Sequence, residues 1–289
     1  MGFEMSNECR IAIGDFCCSL VCKEPYVILC FQEYYSGFLI PEREPDFVIE
    51  LEVAYHEVGY YQVPSSLFMT KVLQGNHFSF GSGLLEGFLH LSDKRCNIVV
   101  KEVLLGGPSI RIFEQFLYQV YYTFLYNQNS RPTSFLIHAS GVNRNGKGFA
   151  FSGRSGCGKS TIASLSSQEI VLNDEIIIIE KRNSGFWVRS TPFNGRYKIK
   201  KNNEVPLKAI FLLKHAKENY LKPLSNADFT REFVQEVIFS IPLFSTDRTK
   251  AFSEMLDFCS QLVKEVPIYQ LYFRPDRSFW ECIDREENL

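Results

Sequence analysis

Gly153-Arg154-Ser155-Gly156-Cys157-Gly158-Lys159-Ser160 is the stretch on which the reading of this chain turns. It matches G-x-x-x-x-G-K-[ST], follows the apolar run Gly148-Phe149-Ala150-Phe151 and precedes a helical run from Thr161 to Ser167. In a strand-loop-helix setting this pattern has a physical meaning. Glycines let successive backbone N–H groups turn inward as an anion nest at a helix N-terminus, while the lysine reaches terminal phosphates and the hydroxyl can ligate Mg²⁺. Gly153, Arg154, Ser155, Gly156, Cys157, Gly158, Lys159, Ser160 and Thr161 are therefore expected to hold ATP or another nucleoside triphosphate, with Mg²⁺ at Ser160.

Working outward toward the N-terminus, Phe135 to His138 reads as a strand and Phe149 to Ser152 as its return, with Asn145-Gly146 between them as a two-residue hairpin signal. Toward the C-terminus, Glu169 to Leu172 reads as a strand ending in Asn173-Asp174-Glu175, fifteen residues beyond Lys159. Ile176 to Glu180 and Phe186 to Ser190 then form a hairpin around Arg182-Asn183-Ser184-Gly185. Transport-type ATPases carry a distant second acidic motif behind an L-S-G-G-Q stretch, and neither feature occurs here. Phosphoryl transfer requires held phosphates, a metal that neutralises them, and a carboxylate that orients or deprotonates the attacking hydroxyl. Ser160 with Glu175 is expected at the metal and Asp174 at the hydroxyl.

This order of elements resembles the C-terminal catalytic domain of HPr kinase/phosphorylase and its relatives, which share a core with phosphoenolpyruvate carboxykinase. Four stretches carry the resemblance: Leu136-Ile137-His138-Ala139, the glycine-rich loop, Val171-Leu172-Asn173-Asp174-Glu175, and Ser190-Thr191-Pro192-Phe193-Asn194-Gly195. A looser likeness to a closing strand runs over Val266 to Leu271. The resemblance puts Asp174 on the family's catalytic aspartate and His138 on a histidine near the transferred phosphoryl group. It also implies ATP-dependent kinase chemistry on a hydroxyl of a peptide, protein or small molecule, and a homo-oligomer, since relatives often assemble as rings. Where the family has Asp-Asp this chain has Asp174-Glu175, and Thr161 stands where the bifunctional enzymes have Glu. The family's later loop for its protein substrate is not found. These departures keep open a nucleotide-binding accessory protein, or a slow NTPase, without transfer chemistry. Arg196 and Lys198 read as a solvated basic strand, with closure over the γ-phosphate as the alternative.

The chain has 289 residues, enough for two modest domains. With 31 Lys+Arg against 33 Asp+Glu the formal charge is -2, which speaks against a nucleic-acid partner held by bulk charge. The 15% aromatic content speaks against disorder. Nine cysteines with no C-x-x-C pair, and an N-terminus MGFEMSNECR without a basic start and apolar run, lead to the expectation of a cytoplasmic chain with reduced thiols. Ile110 to Asn127 contains Arg111, Glu114, Gln115 and Gln119, so it reads as a buried helix, and no membrane span is expected. From Arg10 to Val103, short apolar runs (SLVC, YVILCF, DFVIELEVAY, YYQVP, HFSF, NIVVKEVLL) read as strands of a mostly antiparallel sheet, stopped by Gly106-Gly107-Pro108. The expected organisation is a smaller β-rich domain over 1–128 with a closing helix, for substrate or partner recognition, and a nucleotide-binding domain over 129–289. The class is α/β, more specifically α+β, with a P-loop core of the HPr kinase and phosphoenolpyruvate carboxykinase type. Gly81-Ser82-Gly83 with Gly87 reads as a turn, His56-Glu57 lacks the second histidine of a zinc-protease motif, and His77, His90 and His215 lack metal-ligand spacing.

Overall fold

The computed structural model describes residues 6–54, 72–74, 77–80, 85–101, 110–129, 132–193, 195, 201–238 and 247–286. The expectations for His56-Glu57, YYQVP, Gly81-Ser82-Gly83, Gly106-Gly107-Pro108, Arg196 and Lys198 lie outside the described residues. Two compact units make up the chain, one within Met1–Asn127 and one built from Gln128–Phe239 and Asp247–Leu289. Each combines sheet and helices, which makes the chain a member of the α+β class.

In the first unit, β1 (Glu8–Ile13) and β2 (Phe16–Cys22) form a hairpin, followed by α1 (Pro25–Tyr34) and β3 (Phe47–Ala54). Then come β4 (Val72–Gln74), β5 (His77–Phe80), β6 (Leu85–His90), β7 (Arg95–Lys101) and α2 (Ile110–Asn129). The sheet order is β1-β2-β3-β7-β6-β5-β4. Its flanks are antiparallel, as expected, but β3 runs parallel to both β2 and β7. A parallel pair needs a crossover, and α1 supplies it. That helix corrects the strand reading of YVILCF: Pro25 sits in its first turn, where a missing N–H costs nothing, and Val27, Ile28 and Phe31 share its buried face. Alternation along β3 points Phe47, Ile49, Leu51 and Val53 into the core. Helix α2 buries Phe113, Leu117, Val120 and Tyr121 at three- and four-residue steps. Many of the aromatics gather here, with Phe31 against Phe113 at 5.1 Å and Phe16 against Phe124 at 4.8 Å between ring centres.

The second unit opens with β8 (Ser134–Arg144) and β9 (Lys147–Ser152), joined through Asn145 and Gly146 at φ 55° and 78°, the two positive angles a type I′ hairpin turn needs. There follow α3 (Lys159–Leu165), β10 (Ile170–Asn173), β11 (Ile176–Arg182), β12 (Gly185–Arg189), β13 (Glu204–His215) and β14 (Tyr220–Pro223). The chain continues with α4 (Asn226–Phe233), α5 (Arg248–Glu265), β15 (Ile268–Phe273) and α6 (Phe279–Asp284). Two long strands organise the unit by changing partners midway. The first half of β8 pairs with β11, its second half with β9 and β10. Likewise β13 pairs first with β12, then in parallel with β9 and β15. Strands β8, β11, β12, β13 and β9 thus close a hydrogen-bonded circuit, and β9, β13 and β15 run side by side with their C-terminal ends together. Phe149, Phe151, Phe211, Leu271, Phe273, Phe279 and Trp280 fill the core between these strands and helices α3 and α6.

Candidate functional site

The glycine-rich loop leaves β9 at the shared C-terminal ends of the three parallel strands, the edge where ligands of open α/β sheets gather. Gly153, Gly156 and Gly158 adopt φ of 138°, 81° and 109°, angles that residues with a Cβ rarely take. Gly158 is also crowded, since a methyl group there would lie 2.5 Å from Phe273 Cζ. Lys159 opens α3 and is only 6% exposed, yet it is not buried as an unpaired charge. Its Nζ donates to the carbonyls of Gly153 (2.5 Å) and Arg154 (3.4 Å), so the side chain folds back across the loop. His215, at the end of β13, has Nε2 3.0 Å from the Gly156 carbonyl oxygen. A carbonyl only accepts, so this nitrogen carries the proton. Arg154, Ser155 and Gly156 face solvent, and Ser160 and Thr161 are half-buried. Burial raises the Cys157 thiol pKa, with the nearby Lys159 pulling it back in part.

The acidic turn between β10 and β11 is shaped by Asn173, a buried side chain to which the sequence assigned no role. Its Nδ2 donates to the Thr191 carbonyl (3.2 Å), Thr191 Oγ1 (3.2 Å) and the Phe193 carbonyl (2.9 Å). Its Oδ1 accepts from the backbone N–H groups of Glu175 (2.8 Å) and Ile176 (3.2 Å). The segment Ser190-Thr191-Pro192-Phe193 is therefore a brace for the turn. Gly195 passes so close that a side chain there would collide with Asp174 Oδ1. Asp174 is 0% exposed, whereas the Glu175 side chain keeps 30% of its surface open.

Strand register brings turn and loop together. Ala139 of β8 lies opposite Ser152, the residue before Gly153, and His138 lies opposite Ile176, the residue after Glu175. With neighbouring strands about 4.8 Å apart, the loop's first residue and the acidic turn sit on two sides of β8, roughly 10 Å from each other. His138 stands between them, its Nε2 3.8 Å from Glu175 Oε1. On the other side of the ring, Nδ1 lies 3.0 Å from Glu236 Oε2. Glu236 belongs to no motif in the sequence. It sits on a short 3-10 turn, Val234–Glu236, fixed beside β8 by the Ile137–Val237 bridge and by the Ile238 N–H donating to the Leu136 carbonyl. The expected catalytic and metal-binding positions, His138, Glu175 and the loop ending in Ser160, thus belong to one end of the second unit. Among the described residues no three His, Cys, Asp or Glu side chains form a metal cage. A hydroxyl with one carboxylate suits Mg²⁺, which takes its remaining oxygens from phosphates and water.

A family model described as SynChlorMet cassette protein ScmC matches residues 110–287. The chain belongs to the ScmC family. No curated protein matches it. The ScmC match begins at the first residue of α2 and takes in the loop, the acidic turn, His138 and Glu236, while the first sheet lies outside it.

Proposed function

We propose that this ScmC-family chain is an ATP-dependent phosphotransferase of the HPr serine kinase-like type, moving a γ-phosphoryl group to a hydroxyl of a peptide, protein or small molecule. The observation that carries the reading is the loop of three positive-φ glycines at the ends of β9, β13 and β15, leading into α3 with Lys159 folded across it. Such a loop holds phosphate oxygens by backbone N–H groups and one ammonium, which needs no basic surface and suits a formal charge of -2. Lys159 would exchange its two loop carbonyls for phosphate oxygens. Ser160 and Glu175 would hold Mg²⁺, which supplies neutralisation of the phosphate charge. Asp174 takes the acceptor's hydroxyl proton as the new O–P bond forms and the bond from Pγ to the leaving diphosphate oxygen breaks. His138 faces the same space between loop and turn. The description of the family as cassette proteins accords with an acceptor supplied by a companion protein. Nine free cysteines accord with a reducing, cytoplasmic compartment, and among the described residues no helix is long and apolar enough to cross a membrane.

The test is transfer of labelled γ-phosphate by the Asp174→Asn variant. Transfer should vanish while ATP affinity stays at the wild-type value; unchanged transfer would remove Asp174 from the chemistry. The burial of Asp174 favours a second reading, a nucleotide-binding accessory or regulatory protein. The two readings differ in one measurable quantity, ADP formed per bound ATP in the presence of Mg²⁺.

A further inference from the structure

The His138 ring stands between two of the site's three acidic side chains, Glu175 on one side and Glu236 on the other. A carboxylate that is 8% exposed must find a partner, because an ion left alone in the interior is costly. Glu236 has one in the Nδ1 of His138 at 3.0 Å. A carboxylate accepts only, so in the neutral ring the nearer one, Glu236, holds the single proton on Nδ1, and Nε2 is left as an acceptor on the opposite side. That side is the one occupied by Glu175. Backbone pairing at Ile137–Val237 and at Ile238–Leu136 holds the Glu236 turn to the very strand that carries His138, so the two side chains are placed by one short stretch of structure. Glu236 also lies close enough to the loop that, after burial and against the pull of Lys159, its charge adds to the upward push on the Cys157 thiol.

We infer that Glu236 is a positioning residue for phosphoryl transfer, fixing His138 in the Nδ1–H tautomer so that Nε2 shares the single hydrogen of the acceptor hydroxyl with Asp174, aligning the hydroxyl oxygen with the phosphate held by the loop until Asp174 takes the proton. The inference rests on the phosphotransferase reading and deepens it by adding a residue no motif marks. His138 touches the acceptor; Glu236 acts through it.

The test uses the full chain with ATP, Mg²⁺ and water as the acceptor, and has two readouts. In ¹⁵N-histidine-labelled protein above the pH range of histidine titration, His138, assigned by the loss of its signals in His138→Asn, should show the Nδ1–H tautomer. Glu236→Ala should abolish that preference, and Glu236→Gln, which keeps an oxygen for the ring N–H, should retain it. In turnover, Glu236→Ala should lower kcat by about 10- to 100-fold, the scale known for partners that orient metal-ligating histidines, with KM for ATP held near wild type. Glu236→Gln should recover most of the rate. An Nε2–H tautomer in the wild type, or an unchanged kcat in a folded Glu236→Ala, overturns the role of Glu236. Lys159→Ala separates this from the reading beneath it. If that variant binds and turns over ATP as wild type does, the nucleotide assignment fails and the inference falls with it. If Lys159→Ala is inactive while Glu236→Ala is not, only Glu236 is removed.

Discussion

Gly156 and Gly158 both lie at positive φ, 81° and 109°, but only one of them is also hemmed in. Nothing stands within 4 Å of a methyl group placed at Gly156, whereas at Gly158 it meets Phe273 Cζ at 2.5 Å. Gly156→Ala should therefore lose about 1–2 kcal/mol from the backbone alone, and Gly158→Ala a further 1–3 kcal/mol or so from overpacking against a buried ring. Thermal unfolding should order the two variants that way. ATP titration should show the larger loss at Gly158→Ala, because the displaced helix start carries Lys159; equal Tm shifts would mean that Phe273 yields freely. The loop glycines were legible in the sequence because their spacing is set by backbone geometry that no other residue can supply. Asp174 and Glu175 were legible because they form the turn between two strand ends near that loop, whereas His138, read as the end of a strand, lies inside β8. Glu236 and His215 were not legible. Their places depend on β8 and β13 meeting partners that are distant in the chain, and no local pattern records such a meeting.

Helix α3 has seven residues, far below the length at which a helix holds itself together in water. Its end is tied from outside: Arg277 donates to the Leu165 carbonyl (2.9 Å) and to Glu169 Oε1 (3.0 Å), and Trp280 Nε1 donates to Ser166 Oγ (3.1 Å). Arg277→Ala removes two of these bonds at a partly exposed site and should cost about 1–2 kcal/mol. On the phosphotransferase reading it should also weaken ATP binding, since the helix proposed to point its N-terminus at the phosphates would fray from its C-terminal end. Arg277→Lys should rescue little, as an ammonium cannot reproduce the forked geometry that reaches carbonyl and carboxylate together. Full ATP affinity in Arg277→Ala would show that the core around Ile162 holds α3 unaided. At this scale the hairpins of the second unit were the most legible elements, because Asn145-Gly146 and Asn183-Ser184-Gly185 name their own turns. The helix α1 was the least legible. Its run Tyr26 to Phe31 is apolar almost throughout, and such a run fits a buried strand as well as a helix. Pro25 in its first turn was the one signal that favoured the helix.

The two units differ in how their cysteines respond to alkali. Burial pushes Cys9 up to about 12 and Cys18 and Cys96 well above the ordinary thiol range, all in the first unit, while in the second only Cys259, also about 12, is shifted as far by burial. A thiol that keeps its proton in the folded state but loses it on unfolding lowers stability as pH rises. The loss begins near 9, the ordinary thiol value, and continues toward the folded value. Each such thiol contributes a slope of about 1.4 kcal/mol per pH unit in that window; Cys17 and Cys22, the latter pushed up to about 11, add to the first unit and Cys157 and Cys282 to the second, so the first unit, with five raised thiols against three, is expected to lose stability more steeply. The buried phenol of Tyr35, also raised by burial, acts in the same direction at higher pH. Both tryptophans, Trp187 and Trp280, belong to the second unit, so tryptophan fluorescence follows that unit alone while far-ultraviolet circular dichroism follows both. Between pH 8 and pH 10.5 the midpoint seen by circular dichroism should fall further than the midpoint seen by fluorescence, with the two traces separating as pH rises. Midpoints that fall together would mean that the units unfold as one cooperative block, and the steeper slope of the first would then be shared by the site in the second.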